Sequence, residues 1–423
     1  MKIKKDFLIE FLWILSGTVI STISLLIVNK ILSYYLSKSS FGLFYIGSTL
    51  TILATQIFFG PFGNGFSRFY WVANEKDELQ SFIHKTLFWI KILTFIFIFV
   101  SFTLYYLTLN IYKIDFYMFV LFILFAISSS YTALVYSYLN IIRKRKTIAL
   151  YQIMDAILKL SFLSFIILNF DKTLKFFLFA LTLCSLLILI IQIIHFQKII
   201  FKMNRLVKGI EFTDWSKKIY NFSYPFAIWG IFTWFQMSSD RYFLGYFISS
   251  ENVAKYAIIF QLGYYPPSIL IGNFVQTITP IFYQKISQKD NFETPEESSK
   301  IIIKMSLYSF LLVILGFICI FFLSNFIINL LSHNKYNEVA KYLPFMFLSG
   351  GIISTAQIIS IDYQSKMKMK ELMWIKILTS LIGVVCSYYF IKNFGFVGSI
   401  YSSIVFSFSY LLTLLYFKSK IYS

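Results

Sequence analysis

The chain has 423 residues, of which 58% are hydrophobic and 13% charged, and its mean hydropathy is +0.72. An average soluble domain is roughly 25% charged, and a soluble fold this apolar would expose large aggregating patches, so an ordinary soluble enzyme or binding module is excluded. The net charge of +19 would suggest nucleic acid in a soluble chain; in a membrane chain the cytoplasmic bias of Lys and Arg explains most of it.

Lys2, Lys4 and Lys5 precede an apolar stretch that is too long for a signal peptide and has no small-residue cleavage site. It reads as an uncleaved first span. Apolar runs of about 20 residues cross ~30 Å of hydrocarbon as helices, and the alternation expected of a membrane barrel is missing. Twelve spans are predicted, at 11–36, 41–63, 82–109, 116–140, 147–169, 174–197, 219–247, 253–284, 304–328, 339–363, 372–391 and 396–417. With the N-terminus in the cytoplasm, 25 of the 38 Lys and Arg fall on the inner side and 8 on the outer side. This supports both the count and cytoplasmic placement of both termini. Cys184, Cys319 and Cys386 lie within apolar runs and read as small core residues.

The longest connections, near 198–218 and 285–303, are cytoplasmic, and neither is large enough for a folded domain. The first divides the chain into residues 1–200, a linker at 201–218, and residues 219–423. The halves are related. A shift of 211 residues lays Asn29-Lys30 on Asp240-Arg241 and Tyr45 on Tyr256. The fold class expected is an all-α polytopic membrane protein of about twelve helices. They form two six-helix bundles related by a pseudo-two-fold axis along the membrane normal.

No phosphate loop, HExxH or CxxC pattern is present, and the three histidines are far apart. No catalytic residue, metal or cofactor is expected, which favours a secondary transporter over a pump or enzyme. The informative residues are charges inside spans, where burial is costly and usually functional: Lys30, Lys91, Lys159, Arg241 and Lys376, with Asp155, Asp240 and Asp362. Lys91 and Lys376 lie near enough to cytoplasmic ends to snorkel. Asp155 and Lys159 are spaced for an intrahelical pair. Lys30 and Arg241, at equivalent repeat positions, suit a cationic cavity for an anionic substrate such as a lipid phosphate or pyrophosphate. Gly60, Pro61, Gly63 and Gly65 are expected to break or kink the second span, placing Arg68 at its cytoplasmic rim. Pro266 and Pro267 mark a second hinge.

The segments "YYLSKSSFGLFY" (34–45), "GNGFSRFY" (63–70), "RKRKTIALYQ" (143–152) and "SSDRYFLGYFISSENVAKYA" (238–257) give the whole chain a resemblance to Wzx-type polysaccharide-biosynthesis flippases. These belong to the multidrug/oligosaccharidyl-lipid/polysaccharide exporter superfamily. The resemblance implies alternating access in the bacterial inner membrane, moving undecaprenyl-pyrophosphate-linked oligosaccharide for O-antigen or capsule assembly. It maps Lys30, Arg68 and Arg241 to substrate binding; the charges inside spans add Lys91 and Lys159 as further binding candidates and Asp240 and Asp362 as candidates for ion coupling. The partners expected are the lipid-linked oligosaccharide, membrane lipids and other polysaccharide-assembly proteins, with no nucleic acid, and the protein is expected to be a monomer. The competing readings are a polysaccharide polymerase, a drug or cation exporter of the same superfamily, and a lipid-dependent glycosyltransferase.

Overall fold

The computed structural model describes residues 2–107, 109–112, 114–203, 214–272, 295–332, 334–365 and 368–422. In chain order, α1 is Lys2–Tyr35. Helices α2 (Lys38–Gly47) and α3 (Thr49–Leu53) run through a π turn, Ala54–Phe59, into α4 (Gly60–Glu75). Then come α5 (Leu79–Leu107), α6 (Phe116–Ile141), α7 (Arg145–Asn169), α8 (Leu174–Met203) and α9 (Trp215–Phe247). Helix α10 (Ser250–Ile259) runs through a second π turn, Phe260–Tyr264, into α11 (265–272). The chain closes with α12 (Pro295–Ser332), α13 (Leu343–Ser365), α14 (Met369–Phe394) and α15 (Phe396–Tyr422).

Among the described residues, ten helical segments are long and apolar enough to cross a membrane. The other two predicted spans fall on α9, which is helical but carries Pro225, Asp240 and Arg241, and on α10 to α11. Residues 273–284 of the eighth predicted span, 285–294 of the loop expected in the cytoplasm and 204–213 of the predicted linker lie outside the described residues.

The chain divides into two compact units, residues 1–234 and 235–423, with the division inside α9. The first part of α9 packs within the first unit: Trp215 lies against Phe69, and Gly65 packs against Ser223.

Two boundaries differ from the sequence reading. The second span does not end at Gly60–Gly65. The backbone stays helical to Glu75, so Arg68 sits in mid-α4 with its side chain exposed. The irregularity precedes the Gly-Pro pair and is one of register. The Gly60 amide donates to the carbonyl of Thr55, five residues back, and Pro61 has no amide to continue the pattern. The second half repeats this: the Tyr265 amide donates to Phe260, and Pro266-Pro267 follow. The ninth span also starts early, because Pro295 opens α12 where proline needs no amide partner.

Close packing at these turns relies on glycine. A Cβ on Gly230 would lie 1.9 Å from the Gln56 carbonyl oxygen, and one on Gly350 would lie 2.3 Å from that of Tyr264. Elsewhere hydroxyls join the helices, as membrane interiors favour. Ser128 meets Ser185 at 2.6 Å between α6 and α8, and Ser349 meets Ser407 at 2.7 Å between α13 and α15.

Candidate functional site

The repeat seen in the sequence recurs as geometry. Ser37 caps α2 through the Ser40 amide, and Ser249 caps α10 through the Asn252 amide. Sixteen residues after its partner in each half, a tyrosine hydroxyl donates back: Tyr45 to Asn29 Oδ1 at 2.8 Å and Tyr256 to Asp240 Oδ2 at 2.8 Å. Sequence shift and hydrogen bond therefore agree, and the difference between the halves is one of charge. Asn29 is neutral, and its amide nitrogen is turned to the Leu25 carbonyl. Asp240 is a carboxyl, only 6% exposed.

The site of interest surrounds Asp240 in the second unit. A buried carboxylate needs compensation by hydrogen bonds, and three helices supply it. Tyr256 of α10 binds Oδ2, while Ser387 of α14 (2.6 Å) and Ser402 of α15 (3.0 Å) both donate to Oδ1. An ionised carboxylate has about four acceptor positions, so one remains. Asp240 borders a cavity of about 20 Å³, whose lining also includes Gln236, Phe406 and the carboxylate's donors Tyr256, Ser387 and Ser402. A volume of roughly 10–15 Å³ accommodates one water-sized particle. The arrangement can hold a water, a proton on the carboxyl, or a small desolvated cation. It is too small for an organic drug.

Next to this cavity lies a feature that corrects the sequence reading. Lys376 does not snorkel to the rim; it is 8% exposed. Its ammonium donates to Gln236 Oε1 and stands 5.6 Å from the ring centre of Phe406 and 5.5 Å from that of Tyr410.

The remaining candidates are distributed over both units. Arg241 is 3% exposed, with its guanidinium 5.7 Å from the Phe260 ring centre; Phe260 also lines the cavity. Asp362 is buried on α13, away from the cavity lining. In the first unit, Lys30 is half-buried on α1 and Lys91 is exposed on α5. Lys159 forms the intrahelical pair with Asp155 at 2.6 Å. Gly60, Pro61 and Gly63 lie at or just beyond the first π turn, and Pro266 and Pro267 lie just beyond the second. Among the described residues, no group of three or more His, Cys, Asp or Glu side chains could hold a metal ion.

Sequence reasoning singled out Asp240 but missed its surroundings. Tyr256 was legible through the repeat. Ser387, Ser402 and Gln236 carry no signal in spans already rich in small polar residues.

Comparison with known proteins follows from this architecture. An inward-facing multidrug resistance MATE family transporter of the MOP superfamily superposes with a TM-score of 0.72 at 11% identity, over 96% of this chain and 98% of that one. The lipid II flippase MurJ, inward closed, gives 0.67 at 15% identity over 96% and 87%. A MOP superfamily transporter from Pyrococcus furiosus gives 0.65 at 13% identity over 97% and 95%. At these identities the likeness shows the fold, that of a two-lobe, all-helical transporter. No curated protein matches the chain. The family described as polysaccharide biosynthesis protein matches residues 7–286, about two thirds of the sequence. The chain therefore belongs to the polysaccharide biosynthesis protein family and has the fold of MOP superfamily transporters.

Proposed function

We propose that this protein is a flippase. It would carry an undecaprenyl-pyrophosphate-linked oligosaccharide across the bacterial cytoplasmic membrane by alternating access, for O-antigen or capsule assembly. The observation that carries the reading is the polysaccharide-biosynthesis family match on a transporter fold. The charges inside the spans agree with it. A pyrophosphate is an anion that must cross hydrocarbon, and cations held within the protein lower that barrier. Lys30, Arg68 and Arg241 are assigned to the pyrophosphate and first sugar, with Lys91 and Lys159 as secondary contacts. The two units, 1–234 and 235–423, move as bodies, and the Gly60-Pro61-Gly63 and Pro266-Pro267 segments absorb the bending. Asp240, with its small cavity, is the ion-coupling residue; Asp362 is the reserve candidate. Both termini lie in the cytoplasm, and no covalent chemistry is performed.

The test is reconstitution of the purified protein in vesicles holding a fluorescent undecaprenyl-pyrophosphate oligosaccharide on one leaflet. Wild type should move the lipid to the other leaflet, and Lys30→Ala with Arg241→Ala should stop it at unchanged protein level. Movement in the double variant equal to wild type would overturn the residue assignment, and movement in wild type no faster than in protein-free vesicles would overturn the function.

A further inference from the structure

Lys376 has no part in the scheme above, yet among the described residues it is the most enclosed lysine of the second unit. Its ammonium is met by a carbonyl oxygen, Gln236 Oε1, and by two aromatic rings, Phe406 and Tyr410. An amide oxygen with aromatic faces is the standard chemistry for recognising a cation out of water. Two of those three groups, Gln236 and Phe406, also line the cavity beside Asp240. Gln236 precedes Asp240 by four residues on α9, one helical turn, or roughly 6 Å along the axis. The ammonium therefore adjoins the enclosure of the carboxyl, linked to it through Gln236 and Phe406. A lysine head is a compact point charge on a flexible four-carbon stem. A mobile cation entering beside Asp240 meets a positive charge that the chain itself provides.

We propose that Lys376 is a positioning residue that sets the affinity and selectivity of the Asp240 cavity for a monovalent metal cation, acting as a tethered competitor. With the ammonium parked on Gln236, the cavity admits a cation against its repulsion. With the cavity empty, the same ammonium joins the neighbouring Arg241 as a counter-charge for the carboxylate. The competition keeps binding weak enough for release in each cycle. A fixed positive charge on the order of 8 Å from the bound ion, at an effective dielectric of about 20, weakens binding on the order of thirtyfold. The inference rests on Asp240 being the ion site.

The test uses the full-length protein in detergent, with thermal unfolding followed across LiCl, NaCl and KCl series and choline chloride holding ionic strength constant. In Lys376→Met the stabilising ion should reach half-saturation at a concentration at least tenfold lower than in wild type. Lys376→Arg, which keeps the charge, should stay within about twofold of wild type. Asp240→Asn should abolish the ion-specific shift in either background. A Lys376→Met half-saturation equal to wild type, with Asp240→Asn still abolishing the shift, overturns the role of Lys376 alone. An equal gain in Lys376→Met and Lys376→Arg overturns it too, since packing rather than charge would then be responsible. Persistence of the shift in Asp240→Asn, or absence of any shift in wild type and Lys376→Met together, overturns the ion site and this inference with it. If Lys376→Met does not give monodisperse protein, Lys376→Gln carries the same reading.

Discussion

Replacing Asp240 by Asn is the perturbation whose outcome the molecule itself anticipates. At the equivalent place in the first half, Asn29 accepts the same tyrosine hydroxyl bond at the same 2.8 Å. In Asp240→Asn the amide oxygen keeps Tyr256, and the amide nitrogen faces Ser387 and Ser402, whose hydroxyls can turn and accept. The change should cost less than about 1 kcal/mol of stability. Asp240→Ala is different. Ser402 retains a second acceptor in the Ser399 carbonyl at 3.0 Å, and Tyr256 has the Ser403 hydroxyl beside it. Ser387 loses its carboxylate acceptor, and the deleted carboxyl enlarges the cavity. The sum is about 2–4 kcal/mol. Fluorescence-detected size-exclusion after stepwise heating ranks the three proteins. Wild type and Asp240→Asn should melt close together, with Asp240→Ala several degrees lower, while both variants lose coupled transport. If Asp240→Asn melts as low as Asp240→Ala, the negative charge itself ties α9 to α14 and α15, and the analogy between the halves fails.

Gly230→Ala should lower the melting midpoint by the equivalent of about 1–3 kcal/mol, because its Cβ would lie 1.9 Å from the Gln56 carbonyl oxygen. Gly272→Ala, with nothing within 4 Å among the described residues, should be neutral or slightly stabilising in the same assay. A double-mutant cycle on Ser349 and Ser407, whose hydroxyls lie 2.7 Å apart, should give a coupling near 0.6 kcal/mol, the usual value between membrane helices. At the N-terminus of α6, burial would raise the Asp115 carboxyl, but Lys175 and the Met118 amide together hold it below its ordinary value. Its contribution is thus present above the ordinary carboxylate range and fades as pH falls through the lowered value. Asp115→Asn should remove that acid-side slope in a pH series of melting points.

The helical class, the span count and the relation between halves were legible because hydropathy and charge bias act along the chain, one segment at a time. The lateral detail was not. Lys376 read as a snorkelling residue from its distance to the span end, since one-dimensional position says nothing of an amide and two rings from other helices. The Gly60-Pro61 pair read as a helix break because proline usually ends a helix. The π turn before it places the lost hydrogen bond at a position where the register already shifts, so the helix continues. Asp240 was visible as a charge in an apolar run, whereas Ser387 and Ser402 became meaningful only once α14 and α15 were packed beside it.

The two π turns have a mechanical meaning beyond local packing. A π turn stores one residue more than an α turn of the same hydrogen-bonded path. Expelling that residue would screw the downstream segment by about 100° and advance it by about 1.5 Å. In the first half that segment is α4, which carries Arg68 on its exposed side; in the second it is α11, which carries Pro266 and Pro267. Each half thus holds a one-residue ratchet within its second span, and a rotation there re-aims a whole helix face while the helix stays unbroken.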